Sequence, residues 1–100
     1  MVWMVTEISK ARLLALHCGR LKDQNRLKSP QISLLKRNNV AIAREIARLA
    51  REILGANGIV DDFSVMRHMA NLESVYTYEG THDIHTLIVG QEITGIAAFS

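Results

Sequence analysis

Apolar residues recur along this chain at helical spacing, over stretches too long to be strands, and this periodicity constrains the fold more than any other feature. The i, i+3, i+4, i+7 spacing of an amphipathic helix running to about Leu27 is kept by Met4, Ile8, Ala11, Leu14, Ala15, Cys18 and Leu21. A second apolar face extends to Leu54. No period-2 segment, hairpin signal or internal repeat competes, so the expected fold class is all-α.

Turn-forming residues separate the helices. Ser29 can cap the second helix with Pro30 at its first position, and the run Gly55-Ala56-Asn57-Gly58 ends it. Connections this short place consecutive helices side by side in opposite directions. We therefore expect an antiparallel helical bundle.

Two further helices complete the predicted bundle. Asp61 or Asp62 can cap a third helix that carries Phe63 on its apolar face. Thr81 can cap a fourth helix that continues to about Thr94.

Composition indicates one small globular domain. The chain has 100 residues, of which 48% are hydrophobic, with a single proline. Its one cysteine, Cys18, excludes an internal disulfide, fits a reducing compartment and is expected to be buried as a small apolar residue. We expect neither a signal peptide nor a membrane span, because no segment is long and uncharged enough.

Charge is unevenly distributed between the two halves of the chain. Residues 1–51 hold eleven basic and three acidic residues, a net charge of +8, whereas residues 52–100 hold one basic and seven acidic residues, a net charge of −6. Arg44, Arg48 and Arg51 share one helical face, which would suit nucleic acid or a phosphate-bearing cofactor. Glu45 and Glu52 lie within helical reach of Arg48, however, and no aromatic residue interleaves the stripe for base stacking. We expect a solvated or intramolecularly paired face and no nucleic-acid partner.

Apolar residues at both ends of the chain predict further burial. Residues 1–3 and 96–99 are almost entirely apolar, and the alanines of the second helix permit close approach on more than one side. We expect the chain to oligomerise or to belong to a larger protein.

The segment Tyr78-Glu79-Gly80-Thr81 places a carboxylate directly before a glycine and a helix start. Gly80 permits a sharp bend or close approach to a ligand, and Thr81 can cap the new helix with Asp83 in its first turn. Glu79 can therefore be a general base aimed into a cavity. The structural alternative is that Glu79 only closes a loop.

Histidines in the same segment raise a metal hypothesis. Glu79 precedes His82 by three positions, as in half of a di-iron carboxylate site, and His85 follows at the same spacing. No second Glu-x-x-His pair occurs, and Gly80 would lie within the helical pair. We expect no metal site.

Glu79 as a base towards a carbon acid is the third hypothesis. Removing a proton next to a carbonyl requires a base in a dry site, donors for the developing enolate and, in an oxidation, an electron sink. Enclosure by apolar helices would supply the dry site. A flavin would supply the sink, with its phosphates at a helix start such as residues 81–83 or at the glycine turn of Gly55.

The bend and its surroundings resemble the acyl-CoA dehydrogenase family. Tyr78-Glu79-Gly80-Thr81 is similar to the catalytic segment of that family, and His82-Asp83-Ile84-His85 resembles its glutaryl-CoA branch. Further segments resemble the C-terminal domain of that branch, in the same order and over nearly the whole chain. They are Lys36-Arg37-Asn38-Asn39, Ile46-Ala47-Arg48-Leu49-Ala50-Arg51, Leu54-Gly55-Ala56-Asn57-Gly58-Ile59, Arg67-His68, Asn71-Leu72-Glu73 and Ile93-Thr94-Gly95-Ile96.

The resemblance implies a flavin-dependent dehydrogenation. Glu79 would abstract the α-proton of an acyl-CoA while FAD accepts a hydride from the β-carbon, and in the glutaryl branch the product loses carbon dioxide to give crotonyl-CoA. Electrons would pass to an electron-transfer flavoprotein. Intact members of the family are homo-oligomers, typically tetramers. The location implied is cytoplasmic in bacteria and the mitochondrial matrix in eukaryotes.

The resemblance also implies roles for particular residues. The amide of Glu79 would help hold the thioester carbonyl, and Gly80 and Phe99 would lie along the substrate. Thr81, His82 and Asp83 would line the flavin. The flavin of a neighbouring subunit would be contacted by Glu52, Ile53, Leu54, Gly55 and Ala56. Phe99 as a tail anchor and Glu52 as a surface partner of Arg48 are the structural alternatives.

Two features depart from the family pattern. The turn usually reads Gly-Gly where this chain has Gly55-Ala56, and the Cβ of Ala56 would restrict positive φ or crowd a pyrophosphate. The N-terminal helical domain, the middle β-domain and the first helix of the C-terminal bundle have no counterpart in residues 1–100. We expect a partial C-terminal domain, colourless and inactive alone. The alternative is a non-enzymatic helical interaction module derived from the same fold.

Overall fold

A 25-residue helix runs through the centre of the structure and packs against three other helices. The computed structural model describes residues 1–99, within which the elements are α1 (Val2–Asp23), α2 (Ser29–Ile53), α3 (Val65–Thr77) and α4 (His82–Thr94). The central helix is α2, which packs against α1, α3 and α4. No strand occurs in residues 1–99, so the predicted all-α class is confirmed.

The first helix ends four residues earlier than predicted. Asn25 has a φ of 55°, in the left-handed region that asparagine tolerates better than most residues. The amide of Arg26 then donates to the carbonyl of Leu21 over 2.8 Å, which uses one of the carbonyls left free at the end of a helix. Leu27 therefore lies in the connection to α2.

The N-cap of α2 is Lys28, so the prediction that Ser29 is the cap is wrong by one residue. The side chain of Gln31 reaches back and accepts a hydrogen bond from the amide of Lys28 over 2.8 Å. Pro30 is therefore the second helical residue instead of the first, but it still lies in the first turn, where a missing amide proton costs nothing.

The start predicted for the third helix is also wrong. Asp61 and Asp62 lie in a short 3₁₀ turn, Asp61–Phe63, instead of capping α3. Ser64 follows with a φ of 60°, and α3 begins at Val65. The left-handed conformation of Ser64 changes the direction of the chain between the 3₁₀ turn and α3. The two aspartates before it do not predict this change.

The core formed by this chain is incomplete. Cys18 is buried as predicted and is the one apolar residue of the described chain that is almost fully enclosed. The accessible surface is 7189 Å², against about 5,700 Å² expected for a monomer of this mass. The radius of gyration is 15.9 Å, against about 13 Å for a compact chain of 100 residues. Open packing of the four helices therefore leaves apolar side chains in solvent.

Much of this exposed apolar surface lies on α1. Its exposed large apolar side chains are Val2, Trp3, Val5, Ile8, Leu13 and Leu16. Met1, Ile96 and Phe99 are exposed at the two ends. No helix in residues 1–99 has the length and apolar character that crossing a bilayer requires.

Candidate active site

A strained bend joins α3 to α4 and contains the predicted base. Tyr78 closes α3, Glu79 follows with a φ of 54°, and Gly80 has a φ of 93°. Glycine adopts such angles freely, but a residue with a Cβ loses about 1–2 kcal/mol in the left-handed region. A left-handed glutamate persists only where surrounding contacts hold it in place.

Side chains from two helices hold three consecutive carbonyl groups of this bend. The ammonium group of Lys36, in α2, donates to the carbonyl of Tyr78 and, over 2.6 Å, to that of Gly80. The carbonyl oxygen of Glu79 lies 3.3 Å from Nε2 of His85, in the first turns of α4. The backbone of Glu79 is thus fixed at its own carbonyl and at the carbonyl on each side.

His85 connects the bend to the interior. Its Nδ1 lies 2.9 Å from the hydroxyl oxygen of Ser33, and both residues are buried, with 8% and 3% of their surfaces exposed. A carbonyl can only accept, so Nε2 carries the proton towards Glu79, and in the neutral ring Nδ1 accepts the hydroxyl proton of Ser33. This arrangement leaves no free ring nitrogen on His85 for a metal.

Gly80 packs directly against the His85 ring. A Cβ built at Gly80 would lie 2.8 Å from Nε2 of His85, closer than nonbonded atoms approach. Positive φ and close packing therefore both require glycine at this position.

Thr81 begins α4 as predicted. Its hydroxyl accepts a hydrogen bond from the amide of Ile84 over 3.2 Å, and Asp83 lies in the first turn. The amides of His82 and Asp83 precede the first intrahelical bonds and point out of the helix. They are available to an acceptor outside this chain.

An aromatic stack lies beside the helix start. The rings of His82 and Tyr76 are 4.9 Å apart and nearly parallel, at 14°. The guanidinium of Arg44 lies over Tyr76, 3.9 Å from the ring centroid, and donates to both oxygens of Glu73 over 2.9 and 3.2 Å. Nδ1 of His82 is buried without a hydrogen-bond partner in residues 1–99.

A cleft of about 310 Å³ opens along this stack. It is lined by Ala41, Arg44, Glu45, Arg48, Met69, Glu73, Tyr76 and His82. Arg48 lies on this surface between Glu45 and Glu52 and pairs with both. The hydrogen bond that Arg48 donates holds the pKa of Glu45 below its ordinary value, and the same bond raises the pKa of Arg48. Arg48 is therefore paired within its own helix, as the helical spacing indicated, whereas Arg44 pairs with Glu73 of α3, which the spacing did not indicate.

The structure brings together one group of the predicted site residues. Glu79, Gly80, Thr81, His82 and Asp83 are consecutive at the bend and the start of α4. The bend contacts the first half of α2 through Lys36. Residues 52–56 lie at the other end of α2, about 24 Å from Lys36 at 1.5 Å per residue. The two groups therefore lie beside opposite ends of α2.

Two other predicted positions have particular local settings. Phe99 follows the far end of α4, a helix about 20 Å long, and is exposed. The structure does not join Phe99 to the bend, and its role stays a prediction. In the glycine turn the positive φ falls on Gly55, at 58°, and Ala56 has a negative φ. The expected backbone restriction at Ala56 is therefore absent.

Enclosure of Glu79 by this chain's own helices was the wrong expectation. Glu79 is exposed, and its carboxylate has no hydrogen bond or ion pair within residues 1–99. The reason is that α2 and α4 approach the bend from its backbone side and leave the carboxylate outside. His82 and His85 also point to different partners, and no three His, Cys, Asp or Glu side chains of residues 1–99 gather as metal ligands.

The sequence did not indicate that Lys36 and Ser33 support the bend. A lysine and a serine inside the apolar period of α2 were the available signal, since polar groups there need buried partners.

Comparison with known proteins identifies the family. A sequence model described as the acyl-CoA dehydrogenase C-terminal domain matches residues 1–94. The chain belongs to the acyl-CoA dehydrogenase family. This match confirms the resemblance drawn from the motifs around Glu79. The relatives described next confirm the similarity to the glutaryl-CoA branch.

Glutaryl-CoA dehydrogenases are among the most similar proteins. A crystal structure of the enzyme from Mycobacterium smegmatis shares 58% identity and a TM-score of 0.92 over 95% of this chain and 24% of that one. A structure of a glutaryl-CoA dehydrogenase from the same organism in complex with FADH2 shares 49% identity and a TM-score of 0.95, over 99% and 26%. The glutaryl-CoA dehydrogenase of Desulfococcus multivorans is 29% identical over 93% of this chain and 24% of its own length. The chain thus spans about a quarter of these acyl-CoA dehydrogenase relatives.

Proposed function

We propose that this chain is the C-terminal catalytic segment of an FAD-dependent acyl-CoA dehydrogenase acting on glutaryl-CoA, with Glu79 as the α-proton base. One observation carries the proposal: the carboxylate of Glu79 is unpaired within residues 1–99, while three carbonyls of its bend are held by Lys36 and His85. A base needs a fixed position and a free carboxylate, and the bend supplies both.

Proton removal defines the chemistry assigned to the bend. A carboxylate oxygen of Glu79 takes the α-proton, and the C–H electron pair moves towards the thioester carbonyl as an enolate. The amide of Glu79 is proposed to donate to that carbonyl, where negative charge develops. Bound FAD supplies the electron sink that accepts the hydride from the β-carbon, so that a carbon–carbon double bond forms.

The start of α4 fits a flavin. The amides of His82 and Asp83 point outwards, and Nδ1 of His82 is a buried polar atom that lacks a partner in residues 1–99. A ligand carrying both acceptors and donors would satisfy these groups. The distant position of residues 52–56 suits contact with the flavin of another subunit. The M. smegmatis relative in complex with FADH2 supports this cofactor assignment.

Assembly with other protein surface is part of the proposal. The accessible surface of the chain, 7189 Å², exceeds that of a compact monomer, and the excess includes apolar residues of α1. A homo-oligomer of the intact enzyme would cover it, and an electron-transfer flavoprotein is the proposed acceptor. The same exposure also favours the second candidate, a helical interaction module without enzymatic activity.

A chimera distinguishes the two candidates. It consists of the M. smegmatis glutaryl-CoA dehydrogenase with its corresponding C-terminal segment replaced by this chain. We expect the purified chimera to be yellow, to bleach when glutaryl-CoA is added without oxygen, and to release crotonyl-CoA and carbon dioxide. The matched control is the unaltered M. smegmatis enzyme. A flavin-loaded chimera that glutaryl-CoA does not bleach would contradict the enzymatic proposal and favour the interaction module.

The isolated chain provides a complementary test. We expect it to be colourless after purification, because the proposed flavin contacts at the start of α4 form only part of a site. Its absorbance spectrum and its size in solution are measured together. A stoichiometric flavin band in the isolated chain would show that residues 1–100 are enough to hold the cofactor.

A further inference from the structure

Within residues 1–99, the contact between Lys36 and the bend is the one long-range polar contact that reaches the backbone on both sides of Glu79. The ammonium group donates to the carbonyls of Tyr78 and Gly80, 42 and 44 residues further along the chain. Lys36 is half-buried, and its Nζ also lies 5.5 Å from the centre of the Tyr78 ring. One ammonium group has three donors, so a single side chain can hold both carbonyls at once.

These two carbonyls determine how Glu79 is presented. The peptide group before Glu79 contains the carbonyl of Tyr78 and the amide of Glu79, so fixing the one orients the other. The carbonyl of Gly80 fixes the following turn into α4. With both held, Glu79 keeps the φ of 54° that an unrestrained glutamate leaves for the right-handed or extended regions.

We propose that Lys36 is a positioning residue for the base: its ammonium group keeps Glu79 in the left-handed conformation and aims both its carboxylate and its amide at the substrate. This inference rests on the proposed function of Glu79 and adds to it the residue on which the geometry of the base depends. His85 holds the third carbonyl, but it is itself placed by Ser33, so Lys36 is the direct link from the central helix α2 to both sides of the base.

A neighbouring residue provides a matched control. Arg37 also crosses from α2 to α4, where its Nε donates to the hydroxyl of Thr86 over 2.7 Å, but it does not contact the bend. Lys36→Met and Arg37→Met each remove one cation and the polar contacts that a basic side chain of α2 makes with later parts of the chain. Only Lys36→Met removes contacts to the carbonyls on either side of Glu79, and the contact of His85 with the Glu79 carbonyl stays in both variants.

The experiment compares both variants in the flavin-loaded chimera defined above. Misplacing a catalytic group by about 1 Å costs on the order of 100-fold in rate, so we expect Lys36→Met to slow deuterium exchange at the α-carbon of glutaryl-CoA by about 10- to 100-fold. The dissociation constant for glutaryl-CoA should change by less than about threefold, since the positioned group acts in the proton-transfer step. Arg37→Met should leave exchange within about threefold of the parent, and Lys36→Arg, which keeps donors and charge, should recover most of the loss.

A structural readout accompanies the kinetics. In the crystal structure of the Lys36→Met chimera we expect Glu79 to leave positive φ. Exchange within about threefold of the parent, an equal loss in Arg37→Met, or an unchanged φ at Glu79 would overturn the role of Lys36. If Lys36→Met fails to load flavin, Lys36→Gln is judged by the same limits. Glu79→Gln separates the two proposals: retained exchange in that variant rejects the base itself, whereas lost exchange there with normal exchange in Lys36→Met rejects only the positioning role.

Discussion

The hydroxyl of Ser33 and Nδ1 of His85 lie 2.9 Å apart, and this contact joins two residues 52 positions apart in the chain. Both are buried, and the other nitrogen of His85 holds the carbonyl of Glu79. A single polar contact inside the bundle therefore determines the orientation of the ring against which the bend packs.

Replacing Ser33 by alanine tests this contact. The change leaves a buried ring nitrogen without its partner, so we expect the free energy of unfolding to fall by about 1–3 kcal/mol. Urea denaturation followed by circular dichroism measures it. Ser9→Ala is the control, because Ser9 is exposed and its hydroxyl bonds to a carbonyl of its own helix, and it should shift stability by less than about 0.5 kcal/mol. Equal effects of the two substitutions would contradict the role given to Ser33.

Glycine at position 80 is the second testable requirement. Gly80→Ala adds a Cβ at a φ of 93° and 2.8 Å from the His85 ring, so we expect a loss of about 2 kcal/mol or more in the free energy of unfolding. Gly90→Ala is the matched control within α4, where a Cβ has nothing within 4 Å. That change should raise stability by about 0.5–1 kcal/mol, since alanine favours a helix interior over glycine. Stabilisation by both substitutions would refute the close packing at Gly80.

The pair of Glu45 and Arg48 predicts a dependence on pH. The hydrogen bond from Arg48 lowers the pKa of Glu45 from its ordinary value of 4.5, so the carboxylate contributes stability above that pH and loses it as the pH falls through the lowered pKa. We expect Arg48→Gln to move the pKa of Glu45 back up towards 4.5, as measured by carbon-13 NMR titration of its side-chain carboxyl. Arg51→Gln is the control. If the pKa of Glu45 is the same in the unsubstituted chain and in Arg48→Gln, Arg48 is not the cause of the lowered pKa.

Local signals in the sequence predicted much of the fold and part of the site. The apolar period of α2 and the cap at Thr81 depend on residues within one or two helical turns, and both occur where predicted. Gly80 before a helix start also indicated the bend correctly, because positive φ is a local property of the backbone.

Contacts between distant parts of the chain were not predictable in the same way. A lysine has a long flexible side chain, and nothing in its neighbourhood indicates that Lys36 turns towards carbonyls 42 and 44 residues away. Ser64 is a similar case, since serine seldom adopts the left-handed conformation that sets the start of α3. The exposure of Glu79 depends on how the helices pack. The helical period predicts which faces are apolar, but it does not predict which of these faces are buried within this chain.

The most direct test of Glu79 as the base is α-proton exchange in the flavin-loaded chimera carrying Glu79→Gln. Glutamine has nearly the same size as glutamate and occupies the same position in the bend, but its amide cannot accept the proton as a carboxylate does. Mass spectrometry of glutaryl-CoA incubated in deuterium oxide measures the exchange. We expect exchange to be abolished while glutaryl-CoA still binds with an affinity close to that of the parent chimera. Deuterium incorporation at the parent rate in Glu79→Gln would contradict the assignment.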